Sequence, residues 1–202
     1  MSDRTAYEIR PDDALVVVDA QHDFLPGGAI GVAEGERIFD PIDALAPRFA
    51  RVYATRDWHP ENHSSYEQYG GQWPVHCVAG TYGAAFDARL PLDDVDVVID
   101  KGTDRDTDGY SGFAATTLDR DLREHGVHRV FVCGLATDYC VKATALDARA
   151  AGFDVVVLED ASAAVNVMPG DEQRAIDELR AGGVAVAQSA DVTGSAAAAV
   201  RR

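Results

Sequence analysis

The chain has 202 residues, 47% of them hydrophobic, enough for one well-filled core. Thirty-four acids against 18 Lys and Arg give a formal charge of −16, which argues against a binder of nucleic acid or of an anionic membrane, since both need a basic face. No apolar run approaches the ~20 residues that cross a bilayer, no secretory leader is visible, and Cys77, Cys133 and Cys140 are too few for a disulfide framework, so a reducing cytoplasm is the expected location.

Only Lys101 and Lys142 are lysines among the basic residues. Excess carboxylate keeps a protein solvated where salt screens its self-repulsion, so a high-salt cytoplasm is one reading. A high-GC genome that replaces Lys with Arg is the other.

In chain order, residues 14–19 (ALVVVD) form a continuous apolar run ending in a carboxylate, as a strand covered on both faces reads. Residues 35–50 carry Ile38, Phe39, Ile42, Leu45 and Phe49 at helical spacing despite Pro41 and Pro47. A second strand follows at 51–55. Residues 56–82 have no period, and a loop of that length inside a compact domain is usually functional. Further strands are expected at 95–100, 127–134, 153–158 and 184–187, with helices at 113–125, 137–151 and 171–180. The tail from 194 is weakly specified.

This alternation predicts an α/β fold, a doubly wound three-layer sandwich around a six-stranded parallel sheet, Rossmann-like, with residues 1–202 as one domain. Ligands in such folds sit beyond the carboxyl ends of the strands. Asp19, Asp57, Lys101 and the 134–140 segment all fall on that rim. No G-x-G-x-x-G follows the first strand and no P-loop is present, so a nucleotide site is not supported.

Cys140 in GLATDYCV is placed in the first turn of a helix, with Thr137 or Asp138 as a candidate cap, where backbone N–H groups favour a thiolate and can hold an oxyanion. Its plain alternative is a small buried hydrophobe, the expected fate of Cys133, while Cys77 fits either. Asp19 could accept the thiol proton and Lys101 could favour the thiolate, although strand-end ion pairs are common. Asp57, His59, His63 and His76 crowd one loop, and a carboxylate with two imidazoles suits Zn²⁺, Fe²⁺ or Mn²⁺. Loop histidines bonded to backbone are the alternative. His22, His125 and His128 read as structural or solvated. Phe24, Trp73 and Tyr110 could wall a flat ring, or simply pack their loops.

Taken together, VVVDAQHDF, TRDWHPENHSSY, WPVHCVAGT, VIDKGTDRDTDGYSGF and VCGLATDYCV strongly resemble the isochorismatase-like cysteine hydrolases, and within them the nicotinamidase family, over roughly residues 12–190. The resemblance implies a triad of Asp19, Lys101 and Cys140, and a divalent metal, Zn²⁺ before Fe²⁺ or Mn²⁺, on Asp57, His59 and His76. It implies a ring pocket of Phe24, Trp73 and Tyr110, a cis peptide between Leu135 and Ala136, and an oxyanion hole from the Ala136 and Cys140 amides. The implied reaction is hydrolysis of nicotinamide to nicotinate, with pyrazinamide as a related substrate and a homo-oligomer left open. Hydrolysis of an N-carbamoyl or other small amide is the alternative within the superfamily. The family's usual D-x-Q-N-D-F departs here at His22, and His63 is not carried over as a ligand.

Overall fold

A computed structural model of the chain describes residues 6–195. Most of the tail that the sequence leaves weakly specified lies outside those residues. Six parallel strands make the central sheet: β2 (Asp13–Val18), β3 (Arg51–Asp57), β4 (Val97–Lys101), β5 (Arg129–Leu135), β6 (Asp154–Ala163) and β7 (Ala185–Ala187). They lie in the order β4-β3-β2-β5-β6-β7. The chain therefore builds outward from β2 to one edge and then from β5 to the other. The switch in direction falls between β2 and β5, and it opens a crevice beyond their carboxyl ends.

The apolar runs explain the layering. Every residue of β2 and of β5 is buried. Leu15 and Val17 pack into one core, with Phe39, Ile42 and Leu45 of α1 (Phe39–Leu45). Ala14, Val16 and Val18 pack into the other. There they meet Leu118 and Leu122 of α2 (Leu118–Glu124), Ala145 and Ala148 of α3 (Lys142–Ala150), and Ile176 and Leu179 of α4 (Asp171–Ala181). A period-two strand with both faces covered has no polar positions to alternate, which is why the sequence reads as continuous Val and Leu.

Several boundaries differ from the sequence expectation, each for a local reason. The helix expected over 35–50 is a 3₁₀ turn, α1 and a second 3₁₀ turn, because Pro47 cannot continue the helix. The helix expected over 113–125 begins only at Leu118. Before it, Ser111 Oγ accepts the Phe113 N–H (3.1 Å) and Thr116 Oγ1 accepts the Leu118 N–H (3.2 Å), so side chains satisfy backbone groups that a helix would otherwise use. Strand β4 starts at Val97 rather than 95, after a 3₁₀ turn at Leu92–Asp94. Strand β6 runs five residues beyond the expected 158, through a register shift opposite Cys133. There Gly134 has φ 111, and a Cβ would sit 2.1 Å from the Val18 carbonyl oxygen. Two short strands that the sequence did not suggest, β1 (Tyr7–Glu8) and β8 (Val192–Thr193), pair in parallel.

Among the described residues, no helix is long and apolar enough to cross a membrane. The arginines are largely matched by neighbouring acids, as in Arg123–Asp119, Arg105–Asp106 and Arg56–Asp100. The acid surplus of the composition is thus left for solvent to screen. Thermal stability is expected to rise with KCl into the molar range, by about 1 kcal/mol or roughly 2–4 °C. Melting curves at matched pH check this, and a midpoint indifferent to KCl would exclude the high-salt reading.

Candidate active site

Three strand ends supply the floor of the crevice. Asp19 follows β2 directly, with φ 50, a left-handed backbone uncommon outside glycine and frequent at functional sites. Its N–H donates to the Thr55 carbonyl (3.1 Å), and its Oδ1 accepts the Thr55 hydroxyl (2.7 Å). Lys101 ends β4 and is the register partner of Asp57, the last residue of β3. Cys140 lies in a wide turn, Thr137–Val141, where the Ala136 carbonyl accepts the N–H groups of both Tyr139 and Val141 at 3.0 Å. Only after this π-type turn does α3 begin, so the helix expected over 137–151 is divided beside Cys140. Ala136 takes the cap position with no side-chain cap bond, so neither Thr137 nor Asp138 caps the turn. The Leu135–Ala136 peptide is cis.

The three tips meet. Lys101 Nζ lies 2.7 Å from Asp19 Oδ2 and 3.4 Å from Cys140 Sγ. It also donates to Asp57 Oδ1 (2.5 Å) and to the Gly109 carbonyl (2.7 Å). All four side chains are buried. Burial alone would depress the lysine, but Asp19, Asp57 and Cys140 together hold its ammonium well above the usual range. Burial raises the Asp19 carboxyl to about 6, against the pull of Lys101. Burial also opposes ionisation of Asp57, yet Lys101 and His59 keep its carboxyl well below the usual range. For Cys140, burial pushes the thiol up and outweighs Lys101. The sulfur sits at the Lys101 ammonium, which donates to it at 3.4 Å, in surroundings whose burial opposes ionisation of the thiol.

Beside this floor, ligand atoms of Asp57, His59 and His76 lie within 4.8 Å of one another. His59 Nδ1 donates to the Gly102 carbonyl and His76 Nδ1 to the Pro74 carbonyl, both at 2.8 Å. Each bond fixes the proton on Nδ1 and leaves Nε2 as a lone pair facing the cluster, the pattern of metal-bound histidine. Burial lowers the His76 pKa, which keeps its imidazole neutral. Gly102 is held at φ 61 under the His59 ring, and a Cβ there would meet the ring at 2.3 Å. The donor set and its fixed tautomers fit a divalent metal. His63 stacks on His59 at 3.9 Å but does not join the converging trio. Its Nδ1 faces the Ser65 hydroxyl (2.7 Å), and burial pushes it down to about 4.

Above both clusters opens a small, mostly apolar cavity. Phe24, Trp73 and Tyr110 line it, as the sequence suggested, and so do Tyr139, Ile30 and Val165, which it did not. The Trp73 indole N–H and the Gln72 amide both donate to the Tyr110 hydroxyl at 3.0 Å. Tyr139 stands edge-on to Trp73 with centroids 5.0 Å apart. Gln21 also escaped the sequence reading. Its buried amide donates to the Asp57 carbonyl (2.8 Å) and accepts the Asp57 N–H (2.8 Å), gripping the backbone of a cluster residue. The D-x-Q motif was its only signal.

The remaining candidates lie apart from this chemistry. Cys133 and Cys77 are buried, and burial raises both thiols. His22 stacks on Tyr82 at 4.0 Å, in a wider polar cleft where Arg89 pairs with Asp87 and Glu36. His125 Nδ1 bonds to the Asp121 carbonyl (2.7 Å), and the exposed His128 lies 3.4 Å from Asp12.

A strand-switch crevice holding a buried cysteine, lysine and aspartate is the architecture of an α/β cysteine hydrolase. The family model for the Isochorismatase domain matches residues 13–191, and the chain belongs to this family. It is 39% identical to a nicotinamidase of Acinetobacter baylyi, over 85% of this chain and 90% of that one. PnC1 from L. infantum in complex with nicotinate superposes with a TM-score of 0.88 at 41% identity, covering 94% of this chain and 98% of that one. The pyrazinamidase of Pyrococcus horikoshii in complex with zinc gives 0.81 at 48% identity, over 88% and 99%.

Proposed function

We propose that this chain hydrolyses nicotinamide to nicotinate and ammonia through a thioester on Cys140. The observation that carries the reading is the meeting of Lys101 Nζ with Asp19 and Cys140 at the floor of an aromatic-walled cavity that also borders the Asp57, His59 and His76 cluster. Relatives named for this reaction, and one solved with its product, support it.

Asp19 takes the proton from the Cys140 thiol as the sulfur attacks the carboxamide carbon. Lys101 stabilises the negative charge as it moves between sulfur and carboxylate. The Ala136 and Cys140 amides, both at the cavity wall, receive the oxyanion, a donor of this kind being worth ~3 kcal/mol. Protonated Asp19 then gives its proton to the leaving nitrogen, the C–N bond breaks and ammonia departs. A water enters, Asp19 removes its proton, the C–S bond breaks and the thiol is restored. Phe24, Trp73 and Tyr110 hold the ring so that this carbon stays above the sulfur. Asp57, His59 and His76 are the residues that would hold a divalent ion. When bound, the ion would supply a Lewis-acid contact for the ring nitrogen. Zn²⁺ is the ion favoured, since two neutral imidazoles and a carboxylate match its catalytic ligand sets, with Fe²⁺ and Mn²⁺ suited by the same donors. Three free buried cysteines suit a reducing cytoplasm.

The test is ammonia release from nicotinamide, pyrazinamide and a panel of N-carbamoyl and aliphatic amides. Preference for the pyridine and pyrazine carboxamides is expected, and release from the N-carbamoyl compounds alone would overturn the substrate assignment. Chelator dialysis is expected to remove activity and added Zn²⁺ to restore it. His59→Ala and His76→Ala should each lose at least about tenfold in metal affinity, read by metal analysis of the dialysed protein. Full metal retention in both variants would place the ion elsewhere.

A further inference from the structure

Two residues before Cys140, Asp138 is 7% exposed and has no part in the reaction above. Its carboxylate crosses to the segment that follows β6. One oxygen accepts the Val165 N–H (3.0 Å) and the other the Asn166 N–H (2.9 Å). Asn166 stands at φ 52, and its side-chain oxygen accepts the Glu172 N–H (3.0 Å) in the first turn of α4. Val165 lines the cavity beside Cys140 and packs against the core beneath. A single carboxylate thus joins the turn that carries the sulfur to the wall that faces the ring. Both bonds are charge-assisted, and a carboxylate can satisfy both donors at once. An asparagine at 138 would meet one N–H with an oxygen and the other with its own NH₂, leaving two donors face to face.

We infer that Asp138 is a positioning residue that fixes the Val165 wall at a set distance from Cys140, and so determines how large a ring the site accepts. The inference rests on nicotinamide as substrate. Asp138→Asn is expected to raise KM for nicotinamide about tenfold while kcat changes less than about threefold, because ring placement is loosened and the reacting groups are untouched. Discrimination against a ring-methylated nicotinamide should fall by a similar factor. Val165→Ala, which shortens the same wall, should lose the same discrimination. Amide hydrogen exchange gives a reading that needs no variant. In the wild-type protein the Val165 and Asn166 amides should exchange far more slowly than an open loop, and in Asp138→Asn they should speed up while β5 amides do not.

Unchanged discrimination in Asp138→Asn, or a fall in kcat matching the rise in KM, would overturn the assignment. So would open-loop exchange at Val165 and Asn166 in the wild type, which decides the matter even where the variant does not fold. A wild-type enzyme that releases no ammonia from nicotinamide would instead overturn the substrate reading, and the exchange data would still judge the clamp.

Discussion

Cys140→Ala is expected to abolish turnover of nicotinamide, a loss of roughly 10⁴-fold or more, while ligand binding remains within a few-fold of wild type. The size of the effect follows from the chemistry. On the proposed route the sulfur forms the only covalent bond between protein and substrate, and no other thiol can substitute: Cys77 and Cys133 are fully buried and stand outside the cavity lining. The binding walls do not depend on the sulfur, so calorimetry with nicotinate should still show a complex. Cys140→Ser separates two mechanisms. A hydroxyl beside Asp19 is a far poorer nucleophile at neutral pH, so this variant should also be nearly inactive. Ammonia release near the wild-type rate from either variant would refute the thioester route and favour a water activated directly at the Asp57, His59 and His76 cluster.

The second large effect belongs to Lys101→Met. The ammonium is 1% exposed and touches Asp19, Asp57, the Gly109 carbonyl and Cys140. Removing it leaves two buried carboxylates without their counter-charge, a class of change that costs about 3–5 kcal/mol of stability. Activity should fall at least about 10³-fold, since charge moving between sulfur and Asp19 loses its stabilising cation. Denaturant midpoints and kcat/KM measured side by side check both halves. Lys101→Arg should not rescue, because a planar guanidinium cannot offer one compact charge to acceptors converging on a single nitrogen. A methionine variant with wild-type kcat/KM would show that the cation serves folding alone.

Much of the fold was legible because its strands are buried on both faces and end in residues that such strands do not otherwise need. Asp19 after VVV and Lys101 after VVID stand out against their runs, and strand order then brings them to one rim. The histidines of the 56–82 segment were legible by density alone. What the sequence could not disclose depends on registers and contacts that arise only in three dimensions. Tyr139 reads as one more helical residue until the wide turn at Ala136 rotates it toward Trp73. Gln21 acts through its side-chain amide on the backbone of a residue 36 positions away, so the D-x-Q motif marks the residue but not its partner. Asp138 looked like a cap because caps are the usual employment of such a residue, whereas its partners lie 27 and 28 positions downstream. The sequence offered either a thiol near a lysine or a buried cysteine at 140, and the structure shows both at once.

The ammonium of Lys101 also limits how this scaffold can be re-engineered. It answers at once to Asp19 and to Asp57, so the proposed proton-handling side and the proposed ion-holding side share one counter-charge. A designer who grafts a neutral donor onto position 57 to recruit a different ion also strips an anion from the lysine and leaves it leaning on the base. The two halves are not interchangeable modules. A lineage drifting toward another ion would have to retune its base in step.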